Sequence, residues 1–175
     1  MNINNSKYRV PQIYPYNREK AVQYAHKWAL GRNPNYYNFE NNGGDCTNFA
    51  SQVIFSGSTI MNYTPTFGWY YINSYNRTPS WTGVDYLHNF LVGNKSVGPF
   101  AEIVDVRDIK IGDIIQLSFQ DGPRFNHSPV VVSTGSPVDF SNILVAAHTD
   151  DRDYYPITEY GWEKVRCIHI IGVRK

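Results

Sequence analysis

The chain has 175 residues, the length of one ordinary domain, so two full domains are not expected. Its 42% hydrophobic and 18% charged content is typical of soluble globular proteins and excludes intrinsic disorder. Sixteen basic and fifteen acidic residues leave a formal charge of +1 with no basic stripe, so nucleic acid is not an expected partner.

The first residues lack the apolar stretch of a signal peptide, and no segment approaches the roughly 18 apolar residues that span a bilayer. No membrane association is therefore expected. The chain as it stands is expected to be soluble and cytoplasmic, or to act at the cell envelope if a leader has been removed. Its oligomeric state is left open.

Residues 1–16 contain Pro11 and Pro15, which interrupt any regular element, and they are expected to form an N-terminal arm that is loosely attached. A single domain is expected to span residues 17–175. Its first helix is predicted over residues 17–30, where apolar side chains recur at helical spacing.

Two further helices are predicted in the first half of the chain. Asp45 is a suitable N-cap for the second, because its carboxylate can accept hydrogen bonds from the backbone N–H groups of the first turn. This helix should run to about Ser56, ahead of Gly57. A shorter third helix is predicted from Val84 to Val92.

After residue 110 the apolar pattern changes from helical to extended. Four segments rich in Val and Ile, separated by Gly, Pro, Asn and Asp, are predicted to be strands: residues 111–119, 129–133, 143–148 and 165–173. Helices followed by strands indicate an α+β domain, with N-terminal helices packed on a largely antiparallel sheet of four to six strands.

Aromatic residues make up 15% of the chain, and 14 of them are Tyr. Rings with a polar tip suit a cleft for a sugar- or peptide-like ligand, and they also suit the edges of a core. The aromatic segment 63–81 has no clear period. It is predicted to form either one wall of a substrate cleft or an aromatic core below a surface loop.

The two cysteines have different surroundings. Cys167 lies in an apolar run and is predicted to be buried. Cys46 follows a Gly-Gly-Asp turn, and it is predicted to lie partly exposed in the first turn of the second helix. A thiol attacks only as a thiolate, which a helix N-terminus and a histidine forming a thiolate–imidazolium pair would both favour.

His127 and His148 are the histidines most suited to act with Cys46. His127 precedes one predicted strand and His148 ends the next, so a hairpin of these strands would bring both imidazoles to the same end of the sheet. The remaining histidines are interpreted as structural: His26, His88 and His169.

Four motifs follow one another in the chain: G-G-D-C-T-N-F-A-S-Q at residues 43–52, I-G-D-I-I-Q at 111–116, H-S-P-V-V-V at 127–132 and A-H-T-D-D-R at 147–152. Through these motifs the chain resembles the Putative amidase domain family, which is related to the NlpC-type and CHAP-type cell-wall peptidases of bacteria. The resemblance spans residues 17–175. The resemblance implies a papain-like cysteine hydrolase fold. It also implies cleavage of a peptide or peptidoglycan stem peptide through a thioester acyl-enzyme.

The resemblance assigns Cys46 as the nucleophile and His127 as the general base. The third position, which orients the imidazole, falls on His148 or on one of the acids that follow, Asp150 and Asp151. His148 is preferred because it ends the predicted strand. The backbone N–H of Cys46 is expected to donate to the oxyanion.

Four aromatic residues are candidates for substrate binding: Tyr36, Tyr37, Trp69 and Trp81. The first two precede the second helix, and either of them is a candidate second oxyanion donor. No metal or cofactor is expected, and a metal site made by the two histidines and two aspartates named above is a weaker alternative. An inactive module that binds peptide or cell wall on the same fold is the alternative function.

Overall fold

A computed structural model describes residues 11–175 of the chain. This part contains four α-helices: α1 (Arg18–Trp28), α2 (Cys46–Ser58), α3 (Pro79–Thr82) and α4 (Val84–Gly93). Its strands are β1 (Ile13–Tyr14), β2 (Tyr71–Asn73), β3 (Asn76–Arg77), β4 (Gly98–Val104), β5 (Ile114–Ser118), β6 (Val130–Ser133), β7 (Leu144–Ala147), β8 (Arg152–Pro156) and β9 (Lys164–Arg174). Within residues 11–175, no helix is both long and apolar enough to cross a bilayer.

Strand β9 is the longest strand, and it pairs antiparallel with β1, β4 and β5. From β5 the sheet continues through β6 and β7 to β8, again antiparallel. The predicted α+β class is confirmed, and each of the four predicted strands is present. The sheet has seven strands rather than four to six, because β1, β4 and β8 were not predicted.

The main sheet separates two hydrophobic cores. Side chains alternate along a strand, so neighbouring residues of one strand enter different cores. The larger core lies on the helix side and takes Ile114, Val130, Ala146 and Ile168 from the sheet. The smaller core lies on the other face and takes Ile115, Val131, Val145 and Cys167. Short 3-10 turns cover this second face, including residues 157–160.

The segment before α1 is tied to the sheet. Strand β1 pairs with the end of β9, and the buried Tyr16 donates a hydrogen bond from its hydroxyl to the carbonyl of Gly112 at 3.1 Å. Residues 13–16 are therefore not a loosely attached arm, which corrects that part of the prediction. Residues 1–10 of the predicted arm lie outside the described residues.

The aromatic segment 63–81 mainly forms core. Trp69 and Trp81 are fully buried, and their ring centroids are 4.9 Å apart. Their indole N–H groups donate to side chains of α2, Trp69 to Ser51 at 3.0 Å and Trp81 to Asn48 at 2.9 Å. These buried rings hold α2 against the rest of the helix layer, and they leave no surface for a ligand.

We expect Trp81→Ala to lower the free energy of unfolding by about 3–5 kcal/mol, because it leaves a cavity and removes the hydrogen-bond donor to Asn48 Oδ1. Urea unfolding followed by fluorescence or circular dichroism measures this change. Tyr75→Ala is the control, since Tyr75 is 97% exposed and should change stability by no more than about 0.5 kcal/mol. Equal stability of the two variants would contradict the buried position of Trp81.

Candidate active site

Cys46 is the first residue of α2, as predicted. The four amide groups that begin a helix have no partner within it, and among residues 11–175 the backbone N–H of Cys46 makes no hydrogen bond. The side chain is less accessible than predicted, because Cys46 is only 7% exposed. The thiol therefore lies at the positive end of a helix, below the protein surface.

Two glycines bring the chain to this helix. Gly43 and Gly44 have φ angles of 92° and 94°, in the region that favours glycine. Both residues line the cleft in front of Cys46. A side chain at either position would be strained, so the Gly-Gly pair of the motif is explained by backbone conformation.

The segment that carries His127 runs directly past the thiol. The Sγ atom of Cys46 lies 4.0 Å from the carbonyl oxygen of Asn126 and 3.8 Å from the hydroxyl of Thr47. The Thr47 hydroxyl is in turn 3.3 Å from the Ser128 hydroxyl. The backbone of His127 pairs with β5 just before β6 begins. The residues on both sides of His127 are thus fixed against the start of α2.

Cys46 and His127 line the same cleft, of about 310 Å³, which we call the Cys46 cleft. It is lined by Gly43, Gly44, Cys46, Phe119, Asn126, His127, Thr149, Asp150 and Tyr160. Larger clefts include one of about 510 Å³ between residues 62–67 and α4 and one of about 730 Å³ beside His169, but no cysteine lines either of them. The Cys46 cleft is therefore the one that contains a possible nucleophile and base.

Burial dominates the electrostatics of both groups. It raises the pKa of the Cys46 thiol, and the nearby Asp45 charge adds to this, while hydrogen bonds from Thr47 and from the backbone of Ser128 oppose it. Burial lowers the pKa of His127 to about 4, an effect that Asp150 partly offsets. Both shifts favour the neutral forms of the two groups, a thiol and an imidazole, over the predicted thiolate–imidazolium pair.

Asp45 is fully buried and does not cap α2 with its side chain. Its carboxylate accepts hydrogen bonds from the backbone N–H of Phe39 at 2.9 Å, Asn48 Nδ2 at 2.9 Å and His148 Nδ1 at 2.6 Å. Arg32 Nε lies 3.6 Å from the same group. Asp45 occupies the predicted N-cap position, and its carbonyl accepts a hydrogen bond from the Phe49 N–H at 2.9 Å. The predicted side-chain capping is wrong, because the carboxylate is bonded to these interior partners.

Both ring nitrogens of His148 are engaged away from His127. Nδ1 contacts the Asp45 carboxylate, and Nε2 lies 2.8 Å from the carbonyl oxygen of Trp28. Both partners are acceptors, so both hydrogen bonds form when each nitrogen carries a hydrogen. The ring also stacks on Phe49 of α2, with 4.1 Å between centroids. His148 therefore does not orient His127, which corrects that assignment.

The pairing of β6 with β7 explains why His148 and His127 do not meet. The predicted hairpin is present, with Val130 opposite Ala146. Because side chains alternate, the helix-facing set continues from Val130 to Ser128 on one strand and from Ala146 to His148 on the other. His127 is one residue out of phase with Ser128, so it faces the smaller core.

The other two candidates for the residue that orients His127, Asp150 and Asp151, have different surroundings. Asp151 forms two hydrogen bonds of 2.9 Å with Arg32. Asp150 lines the Cys46 cleft. Thr149 and Asp150 have left-handed φ angles of 64° and 60°, and the Thr149 hydroxyl accepts a hydrogen bond from the Asp45 N–H at 3.1 Å. A strained turn therefore forms one wall of the cleft.

None of the four predicted substrate-binding aromatic residues lines the Cys46 cleft. Trp69 and Trp81 belong to the core. Tyr36 stacks on Trp81 with 5.9 Å between centroids, and the backbone N–H of Tyr37 donates to the Tyr71 hydroxyl at 2.9 Å. Tyr36 packs on the aromatic core with the two Trp rings, whereas Tyr37 is 50% exposed outside the cleft, so none of the four is placed at the thiol. The aromatic residues at the cleft are Phe119 and Tyr160.

A buried polar chain behind the thiol was not predicted. Gln116 Nε2 donates to the Ser128 hydroxyl at 3.0 Å, and Gln116 Oε1 accepts from Arg166 Nε at 2.7 Å. With the Thr47 hydroxyl, these groups join β5, β6 and β9 to the start of α2. The available sequence signal was Gln116 itself, a polar residue within a strongly apolar predicted strand.

The described residues offer no obvious metal centre. No group of three or more His, Cys, Asp or Glu side chains within residues 11–175 is placed to hold a metal ion. Of the four ligands in the weaker alternative, His148 and Asp151 are hydrogen-bonded to other protein groups. These four side chains therefore do not converge.

Comparison with known proteins places this chain in a family. Residues 15–171 match the family described as "Putative amidase domain". The chain belongs to this amidase family. It is also 34% identical over 124 residues to the Uncharacterized protein YhbB of Bacillus subtilis (strain 168), which covers 70% of this chain and 39% of YhbB. The chain thus aligns with less than half of that relative, and no solved structure matches it.

The buried contact between Asp45 and His148 yields a stability prediction. We expect Asp45→Asn to lower the free energy of unfolding by about 3–5 kcal/mol, because it leaves His148 without its charged partner in the interior. Urea unfolding measures the change. Asp151→Asn is the control, since its side chain is 33% exposed and should cost about 1 kcal/mol or less. A similar loss in both variants would contradict the central role of Asp45.

The low pKa of His127 predicts a loss of stability in acid. Above pH 6.5 the side chain is neutral in both states, so it does not favour unfolding. As the pH falls from 6.5 to about 4, the unfolded chain binds a proton that the folded chain does not bind, which costs about 3 kcal/mol in total. His127→Gln should remove this part of the pH dependence in urea titrations. An unchanged slope in the variant would refute the assignment.

Proposed function

We propose that this chain is a cysteine hydrolase of the papain-like type, which cleaves amide bonds through a thioester acyl-enzyme. Cys46 is the nucleophile and His127 is the general base. The observation that carries the proposal is that a thiol at the start of α2 and a histidine line one cleft, beside an unbonded backbone N–H. Membership of a family described as an amidase domain supports the same chemistry.

In the first half-reaction, the Cys46 sulfur attacks the carbonyl carbon of the amide while its proton moves to His127. The developing oxyanion accepts a hydrogen bond from the backbone N–H of Cys46. His127 then gives the proton to the leaving nitrogen, the carbon–nitrogen bond breaks, and an amine departs. The acyl group remains on Cys46 as a thioester.

In the second half-reaction, His127 removes a proton from water as the water attacks the thioester. The carbon–sulfur bond breaks, and the proton returns to the sulfur as the carboxylic acid leaves. Because the resting pair is neutral, proton transfer accompanies attack rather than preceding it. The Asn126 side chain, at the edge of the cleft, is the proposed second oxyanion donor in place of Tyr36 or Tyr37.

The proposed substrate is a peptide amide, and a peptidoglycan stem peptide is the first candidate. The support for this class is the resemblance of the four motifs to the amidase domain family, whose proposed relatives are cell-wall peptidases. A cleft of about 310 Å³ with Phe119 and Tyr160 in its wall has room for one or two residues of such a peptide.

We expect Cys46→Ala and His127→Ala each to lower hydrolysis at least about 100-fold while keeping the native fold, since both side chains border the cleft. Purified peptidoglycan and a panel of synthetic stem peptides serve as substrates, and mass spectrometry detects the new amine and carboxyl ends. Cys167→Ala is the matched control, because Cys167 lies in the smaller core. Full activity of either cleft variant would refute the mechanism.

Alkylation provides a test that needs no substrate. Iodoacetamide should modify Cys46 faster than Cys167, and His127→Ala should slow the modification of Cys46 at pH 7 by about tenfold or more, because the base is lost. Peptide mapping measures both rates in one sample. If the wild-type protein binds stem peptides but neither cleaves them nor shows this His127 dependence, the inactive binding module is correct instead.

A further inference from the structure

Two neighbouring rings in the wall of the Cys46 cleft each contain a buried polar atom without a hydrogen-bond partner. His127 Nε2 and the Tyr160 hydroxyl are both buried without a hydrogen-bond partner. Buried polar groups in native proteins nearly always have a partner, so each such atom calls for an explanation. Here both atoms belong to neighbouring rings in the wall of the same cleft.

Tyr160 is firmly placed beside His127. The two ring centroids are 5.0 Å apart, and the ring planes meet at 52°. The Tyr160 ring also packs against Tyr155, with 5.2 Å between centroids, and against Phe119. It ends a 3-10 turn that begins at the fully buried Ile157. The phenol therefore has a fixed position on the same face of the sheet as His127.

The two nitrogens of His127 differ in their surroundings. Nε2 is buried and has no hydrogen-bond partner. Nδ1 also makes no hydrogen bond within residues 11–175, but it is not buried. Nδ1 is thus the nitrogen left to face the cleft and take the thiol proton. A neutral imidazole whose Nδ1 accepts a proton carries its hydrogen on Nε2, and that hydrogen needs an acceptor.

We propose that Tyr160 is the positioning residue of His127. Its hydroxyl oxygen accepts a hydrogen bond from Nε2–H, through one water or after a small shift of the ring, and so holds the tautomer in which Nδ1 is the base. This inference rests on the proposed function, because it assumes that His127 accepts the proton of Cys46. The proposal assigns the third catalytic position, the one that orients the imidazole, to a residue outside the four motifs.

The alternatives fit less well. Both nitrogens of His148 are bonded elsewhere, and Asp151 is paired with Arg32. Asp150 lies at the exposed rim of the cleft, whereas Nε2 is enclosed. Burial raises the pKa of Tyr160, so its hydroxyl stays neutral at physiological pH. A neutral acceptor fixes the tautomer of His127 without stabilising its charged form, in keeping with the lowered pKa of the imidazole.

The test compares Tyr160→Phe with Tyr155→Phe, which removes a hydroxyl from the neighbouring ring. We expect Tyr160→Phe to lower kcat about tenfold or more with KM changed less than about twofold, because substrate contacts remain while the base loses its orientation. Nitrogen-15 NMR of the imidazole should show the Nε2–H tautomer in the wild-type protein and in Tyr155→Phe. It should show a mixture of tautomers in Tyr160→Phe.

The NMR readout separates this proposal from the proposed function, because it needs no turnover. If Cys46→Ala and His127→Ala are inactive but Tyr160→Phe keeps the wild-type kcat and tautomer, the role of Tyr160 is refuted. The proposed function is then unaffected. If Asp150→Asn changes the tautomer and Tyr160→Phe does not, the acid is the positioning residue and the proposal is wrong. If Cys46→Ala still hydrolyses the substrate, the proposed function is wrong whatever the tautomer.

Discussion

The buried carboxylate of Asp45 is the constraint on which the site depends. An unpaired charge in a protein interior costs several kcal/mol, so this carboxylate requires its full set of partners. Those partners are the loop before α2, Asn48 within α2, and His148 at the end of β7. Together they fix the residue immediately before Cys46. The position of the thiol therefore follows from the buried contacts that this carboxylate makes with both the helix layer and the sheet.

Much of the fold is predictable from local sequence pattern. Apolar spacing predicts three of the four helices. Runs rich in Val and Ile predict strands β5, β6, β7 and β9, because these strands are covered by a core on each face of the sheet. Strand β8, Arg-Asp-Tyr-Tyr-Pro, has no Val or Ile, and it forms because it pairs with β7. The seven residues of β4 likewise depend on pairing with β9. Such strands are defined by their neighbours, so local pattern alone does not predict them.

The site was predictable only in part, for a similar reason. The glycine turn and the helix start at Cys46 are local features, and the motif contains both. The role of His148 depends on register, because the pairing of Val130 with Ala146 places His148 on the same face as Ser128 and not His127. The role of Asp45 depends on a partner that is 103 residues away in the chain. Tyr160 belongs to no motif and is brought to His127 only by packing on the second face of the sheet.

The order of the segments along the chain has a consequence for synthesis. Cys46 is translated early, whereas Asn126 follows 80 residues after it, and β9, which pairs with three strands, is the last element. Contacts between residues so far apart form late in folding. On the ribosome, Cys46 is therefore an ordinary solvent-exposed thiol, without the imidazole or the buried carboxylate that define the folded site. The proposed hydrolase becomes competent only when synthesis of the domain is nearly complete, so an unfinished chain cannot attack the peptides around it.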